Sequence, residues 1–254
     1  MVFSFHPLQV LIIALLVANS QELADVVAGL PCRKIALRKS DDVPYCLTVS
    51  SAMDIIESGR NINFLATQVW PSARVAATTL EKHMPKEATV LEFGCGPGLP
   101  SICAAHLGAK KVYATDLDEF SLQLVEKASI EQNLQNSLET VCLDLTSDPS
   151  TCDLPKADLY LFSDVFESDA VAKGAAQFTR FILSEYPDAK IWVFAQSDRA
   201  CRETYLEEMK VATENLSLKW KPLDQYDKGG ASLAAALRHR LFLCDLDETK
   251  VSYE

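Results

Sequence analysis

Residues 90–100 read V-L-E-F-G-C-G-P-G-L-P and hold three of the chain's nine glycines, Gly94, Gly96 and Gly98, at alternate positions. They continue the apolar run Thr89–Phe93, which carries one carboxylate, Glu92. Few folds accommodate such a run when it ends in a glycine-rich loop and passes into a helix. It reads as a buried parallel strand whose loop lets backbone approach a ligand where side chains would obstruct it. The helix that follows turns its unpaired N–H groups toward the same spot. This is the pattern of a cradle for a nucleotide-type cofactor. A glycine-rich turn without a ligand is the alternative reading.

The dinucleotide fingerprint G-x-G-x-x-G is not met. Gly94 and Gly96 fit it, but its third position is Leu99, with glycine one place early at Gly98 and Pro97 stiffening the turn. Downstream, strand and helix patterns alternate, as a parallel sheet requires. Strands are expected at 89–93, 111–115, 139–143, 158–163 and 190–194, and helices at 99–107, 118–133, 168–186 and 198–215. Upstream, two short strands are expected at 35–37 and 45–49, then a helix within 66–83 that opens at Pro71. Residues 216–223 and 239–244 are apolar runs around a turn-rich stretch, which suggests a terminal antiparallel hairpin. The expected fold is α/β: a Rossmann-like, seven-stranded, mostly parallel sheet with helices on both faces and a C-terminal antiparallel hairpin. Residues 85–254 form its main domain, and 21–84 form an extension with the helix over the cofactor site.

Residues 10–18, V-L-I-I-A-L-L-V-A, are an unbroken apolar run too short to span a bilayer. Ala18-Asn19-Ser20 supplies a small-x-small cleavage pattern, although no Lys or Arg precedes the run. Residues 1–20 are therefore read as a targeting or anchor segment, directed to the secretory pathway or an organelle. A cytoplasmic location is the alternative, and a membrane is a partner only if this segment is retained. The formal charge of −11, from 24 basic and 35 acidic residues, comes without a Lys/Arg stripe, which argues against nucleic acid. It is compatible with a cationic substrate. No C-x-x-C pair occurs among the eight cysteines and the four histidines are scattered, so no metal site is expected. Cys103, Cys142 and Cys244 read as buried thiols; Cys32 and Cys46 stand where pairing is open.

Three carboxylates fall at strand ends. Asp116, with Leu117 beside it, lies 24 residues beyond Glu92, a spacing that lets it reach both hydroxyls of a ribose. An N-cap for the next helix is the alternative, which Asp118 can supply equally well. Asp144 follows the third strand in V-C-L-D-L, and Ser163, Asp164 and Val165 end the fourth. That last edge is where the order of a doubly wound sheet reverses and where ligands bind. An aspartate there can orient a substrate amine or cap a helix.

The stretch E-F-G-C-G-P-G resembles motif I of the class I (seven-β-strand) S-adenosylmethionine-dependent methyltransferases. Residues 59–76, with Trp70-Pro71, and Ser163-Asp164-Val165 resemble motifs of a narrower branch, the methyltransferase-like protein-lysine methyltransferases. The likeness runs from about residue 36 to 244. It implies S-adenosyl-L-methionine as cofactor, with the methionine end held by Glu92 and the backbone of Gly94, Cys95, Gly96 and Gly98. It implies the ribose on Asp116, the adenine amino group at Asp144, Leu145 on the adenine face, and Trp70 flanking the whole. The implied reaction is methylation of a lysine in a protein substrate, with Asp164 orienting the amine and Phe166 facing the cation. Two departures stand out: Glu167 occupies the tyrosine position of the branch's D-x-x-Y, and Leu145 stands where relatives place tryptophan. Both bear on the substrate more than on the cofactor. A small-molecule or other side-chain methyltransferase, or a non-catalytic cofactor-binding protein, remains the alternative. Oligomeric state is not legible.

Overall fold

The computed structural model describes residues 67–212, 218–223 and 233–246, together with the backbone of two short strands further upstream. Those two, β1 (Cys32–Ile35) and β2 (Tyr45–Thr48), pair antiparallel. The first begins three residues before the expected position. Cys32 stands opposite Thr48 and Cys46 opposite Lys34, so the two cysteines are not cross-strand partners. The apolar segment at 10–18 lies outside the described residues.

The main chain then alternates: α1 (Pro71–His83), β3 (Thr89–Phe93), α2 (Leu99–His106), β4 (Lys111–Asp116), α3 (Glu119–Glu131) and β5 (Leu138–Cys142). β6 (Leu159–Ser163), α4 (Asp169–Glu185), β7 (Lys190–Gln196) and α5 (Arg202–Ala212) continue the rhythm. The described C-terminal part adds β8 (Lys221–Pro222), α6 (Leu233–Ala236) and β9 (Leu241–Leu246). Local signals set these limits. Pro71 opens α1, Asp118 caps α3 by accepting from Ser121 N, and Ser168 caps α4 by accepting from Val171 N.

Seven strands form one sheet in the order β5-β4-β3-β6-β7-β9-β8, and every pair is parallel. The chain winds outward from β3 to β5, returns to the other side at β6, and leaves a switch point between β3 and β6. The antiparallel terminal hairpin expected from the sequence is not formed. β9 lies parallel to both β7 and β8. The connection from β8 to β9 exceeds a dozen residues and includes α6, which is long enough for a crossover.

Period-two burial divides the core. Val90, Leu161, Trp192 and Phe194 face one side and pack with α1, α2 and α3 through Val75, Leu80, Ile102 and Val125. Leu91, Phe93, Tyr160, Phe162 and Val193 face the other and pack with α4 and α5 through Phe178, Ile182, Tyr205 and Met209. Helix α1 thus shares the core of the sheet. Cys103 and Cys244 are buried thiols, whereas Cys142 is exposed because β5 is the sheet's edge strand.

Phe162 is fully buried and stacks on Phe93 with ring centroids 4.4 Å apart. Phe162→Ala is expected to destabilise the fold by about 3–5 kcal/mol, read as a fall in the urea midpoint at constant slope. Ile130→Ala, at a site 55% exposed, should stay within about 0.5 kcal/mol of wild type. Equal shifts for the two would contradict this account of the core.

Candidate functional site

Register brings the functional residues to one edge. Phe93 lies opposite Thr115 on one side and Phe162 on the other, so β3, β4 and β6 end level. Asp116 lies opposite Cys142, which sets residues 143–146 just beyond the same edge. A cavity of about 240 Å³ opens there. Its walls come from the glycine loop, the ends of β4, β5 and β6, the start of α1 and the turn after β7.

The loop is held by hydrogen bonds. Cys95 N donates to Thr115 O at 2.9 Å, and Gly98 N donates to Cys95 O at 2.8 Å. Gly96 N donates to Asp116 Oδ2 at 2.9 Å, while Asp118 N donates to Asp116 Oδ1 at the same distance. The N-cap of α3 is Asp118, so Asp116 is free of that task and instead ties the loop to β4. Burial raises its carboxyl pKa above the usual range, against the lowering effect of those amides. Gly94 sits at φ 60° with the position of its missing Cβ 2.5 Å from Val165 Cγ1, so a side chain there would be both strained and obstructed. Gly98 caps α2 and packs against Val125, away from the cavity. Cys95 contributes backbone, because burial pushes its thiol well above the normal pKa and keeps it protonated.

Glu92 is 1% exposed and lines the cavity. Its Oε2 accepts from Ser101 N at 3.0 Å and Ser101 Oγ at 2.6 Å, at the start of α2. Burial pushes its pKa up to about 8, the Ser101 bonds opposing.

The far wall is apolar. Leu143 and Leu145 are buried, and Leu117 stands 62% exposed at the rim. Asp144 Oδ1 accepts from Thr146 N and Thr146 Oγ1, both at 2.7 Å, which locks the turn. Gly174 on α4 lies against the backbone of this turn; a Cβ there would sit 1.8 Å from Leu145 O. The position of Leu145 therefore depends on the absence of a side chain at Gly174.

At the end of β6, Ser163 lines the cavity with its Oγ buried and without a hydrogen-bond partner among the described residues. Asp164 follows at φ 65°, its N–H donating to Phe194 O at 2.9 Å. Its carboxylate is already engaged. Arg199 Nη2 and Nε lie 2.8 and 3.1 Å from Oδ2, and Gln196 N donates to Oδ1 at 3.3 Å. Asp164, expected from the resemblance to orient a substrate amine, lines the cavity and is ion-paired with Arg199 within the protein. Phe166, expected from the resemblance to face the cation, does not line the cavity. It is 1% exposed and meets Tyr205 and Trp220 edge-on, with centroids 5.3 and 5.8 Å away. An apolar ring at that turn is drawn into the core under α5, and the next residue, Glu167, emerges at the cavity instead.

The cavity thus gathers every sequence-derived site residue except Gly98 and Phe166. Arg199, Thr146, Val171 and Gln68 were not anticipated. Arg199 was findable in principle, since it follows the carboxyl end of β7, adjacent to the edge that binds ligands. Among the described residues, no group of acids, histidines and cysteines is arranged to hold a metal.

The raised pKa of Glu92 has a sign that can be tested. The folded chain holds this proton up to about pH 8, whereas the unfolded carboxyl loses it near 4.5. Stability from this group is complete below the lower value and is lost as pH rises toward the upper. Glu92→Gln should flatten the fall in unfolding free energy between about pH 5 and about pH 8. Parallel pH profiles for wild type and variant would contradict the assignment.

The chain is similar to known proteins. The family model for ribosomal protein L11 methyltransferase (PrmA) matches residues 69–158. The histone-arginine methyltransferase METTL23 of Xenopus laevis is 32% identical over 173 residues, covering 66% of this chain and 72% of its own. The ribosomal protein L11 methyltransferase of Thermoanaerobacter pseudethanolicus is 30% identical over 131 residues, 52% of this chain and 40% of its own. A solved ribosomal protein L11 methylase from Lactobacillus delbrueckii subsp. bulgaricus overlays 47% of this chain and 57% of its own, with TM-score 0.36 and 23% identity. With a relative at that identity covered over most of its length, and with the loop, sheet order and acids in place, the chain belongs to the class I S-adenosylmethionine-dependent methyltransferases.

Proposed function

We propose that the protein methylates the guanidinium of an arginine in a protein substrate. The observation that carries this is Glu167, an exposed carboxylate at the cavity for which no ion pair is found among the described residues. It stands where many members of the lysine-modifying branch that the motifs resemble carry tyrosine. The relatives named for histone-arginine and ribosomal-protein methylation support a protein as acceptor.

The residues present fit the cofactor. Ser163 Oγ is a buried polar atom lacking a partner among the described residues, and the acids around it suit a ligand carrying hydroxyls and amines. Asp116 would take the ribose hydroxyls, Asp144 the adenine amino group, and Leu117, Leu143 and Leu145 the purine faces. Glu92 and the loop amides would take the methionine end. S-adenosylmethionine, when bound, supplies an electrophilic methyl on a sulfonium.

The chain's own residues align the acceptor and handle its charge. Holding two reactants in line can lower a barrier by about 7–11 kcal/mol, which is the main work required for an in-line displacement. A carboxylate beside an ammonium raises its pKa and holds it protonated, without a lone pair to attack. The same carboxylate beside a guanidinium draws positive charge toward the nitrogens it binds and leaves electron density on the third. Glu167 therefore favours arginine over the lysine suggested by the sequence motifs. The guanidinium gives up its proton from a nitrogen that Glu167 binds, and the carboxylate passes it to solvent.

Glu167→Gln should reduce kcat/KM toward protein substrate by about 10²–10³-fold while leaving the dissociation constant for S-adenosylmethionine within about twofold. Amino-acid analysis of tritium-labelled product should place the label on methylarginine. Label on methyllysine alone would overturn the arginine assignment. Cofactor binding with no turnover on any protein would favour a non-catalytic role.

A further inference from the structure

Arg199 is placed by contacts that involve two distant segments. Its guanidinium carbon lies 4.5 Å from the centroid of the Trp70 ring, while Nη2 and Nε bond Asp164 Oδ2. The three residues, at positions 70, 164 and 199, all line the cavity. One partner is rigid: the Asp164 side chain is fully buried, its N–H is bonded to β7, and its second oxygen accepts from Gln196 N. The other partner starts a helix. Trp70 is the N-cap of α1, its carbonyl accepting from Ala73 N at 3.0 Å.

We propose that Arg199 is a positioning residue whose planar guanidinium, gripped between the Asp164 carboxylate and the Trp70 indole, clasps the start of α1 to the carboxyl edge of β6. The clasp sets the cavity wall at the point where cofactor and acceptor meet. Its consequence for binding rests on reading this cavity as the methyl-transfer site; the clasp itself does not. A guanidinium suits the task because its face can lie on an indole while two of its in-plane N–H groups, here Nε and Nη2, converge on one carboxylate oxygen, which an ammonium cannot match.

A purely electrostatic role makes the opposite forecast. Among the described residues lining the cavity, Arg199 is the one basic side chain, against Asp116, Asp144, Asp164 and Glu167, with Glu92 held protonated up to about pH 8. S-adenosylmethionine carries a net positive charge, so if Arg199 acted only through space, its removal would tighten binding. If it is a clasp, removal loosens binding despite the more negative cavity.

The test uses the full chain with Arg199→Ala, Arg199→Lys and the double variant Asp164→Asn/Arg199→Gln. The double variant avoids leaving a buried unpaired carboxylate should the single change fail to fold. Two readouts are taken. The first is acrylamide quenching of tryptophan emission without cofactor, with Trp70→Phe subtracted to isolate Trp70. The second is calorimetric titration with S-adenosylmethionine. The clasp predicts that quenching of Trp70 rises about twofold and the dissociation constant rises about tenfold in Arg199→Ala and in the double variant. Arg199→Lys should recover thermal stability without recovering the shielding of Trp70. Unchanged quenching in folded variants, or tighter cofactor binding, would overturn the proposal. If the wild-type chain binds no cofactor, the methyl-transfer reading falls, and the quenching comparison alone decides the clasp.

Discussion

The amide of Gly96 donates to the carboxylate of Asp116 at 2.9 Å, and through that bond the loop after β3 is anchored to the end of β4. The level ends of the parallel strands make the bond possible, since Phe93 and Thr115 are register partners and the next residues on each strand meet. Once the loop is fixed, α2 starts at a defined place and Ser101 reaches Glu92. The same carboxylate also accepts from Asp118 N, so the start of α3 is referenced to the same point. One side chain thus ties together two strand ends, a glycine loop and two helix starts. The same residue lines the cavity.

The arrangement has a cost in stability. Glu92 is buried, and burial raises both its pKa and that of Asp116. Asp164 is buried in a left-handed backbone conformation that non-glycine residues seldom adopt. Such features persist when the surroundings over-determine them, and here two fully packed core layers do so. Buried acids with shifted pKa values are poor choices for stability alone and concentrate at functional sites.

Local signals made much of the fold legible. The run from Thr89 to Phe93, the alternation that followed it, Pro71 at a helix start and the caps Asp118 and Ser168 all lie within a few residues of what they determine. Strand direction at the C-terminus was not legible, because an apolar run such as that of β9 looks the same parallel or antiparallel. That Gly94, Gly96, Asp116 and Asp144 meet at one cavity was readable because glycines and strand-end acids carry a local geometric meaning. The acceptor side was not. Whether Asp164 faces a substrate or an internal partner depends on Arg199, 35 positions away. Whether Phe166 or Glu167 reaches the cavity depends on packing against Tyr205 and Trp220.

Calorimetric titration with S-adenosylmethionine of the wild-type chain, Asp116→Ala and Asp118→Ala tests the central claim most directly. The account predicts one-site binding to wild type, weakened by about 100-fold in Asp116→Ala, which loses both the ligand contact and the anchor of the loop. Asp118→Ala removes only a helix cap, so it should lower stability by about 1 kcal/mol and leave affinity nearly unchanged. No binding to folded wild type, or equal affinity in Asp116→Ala, would contradict the account.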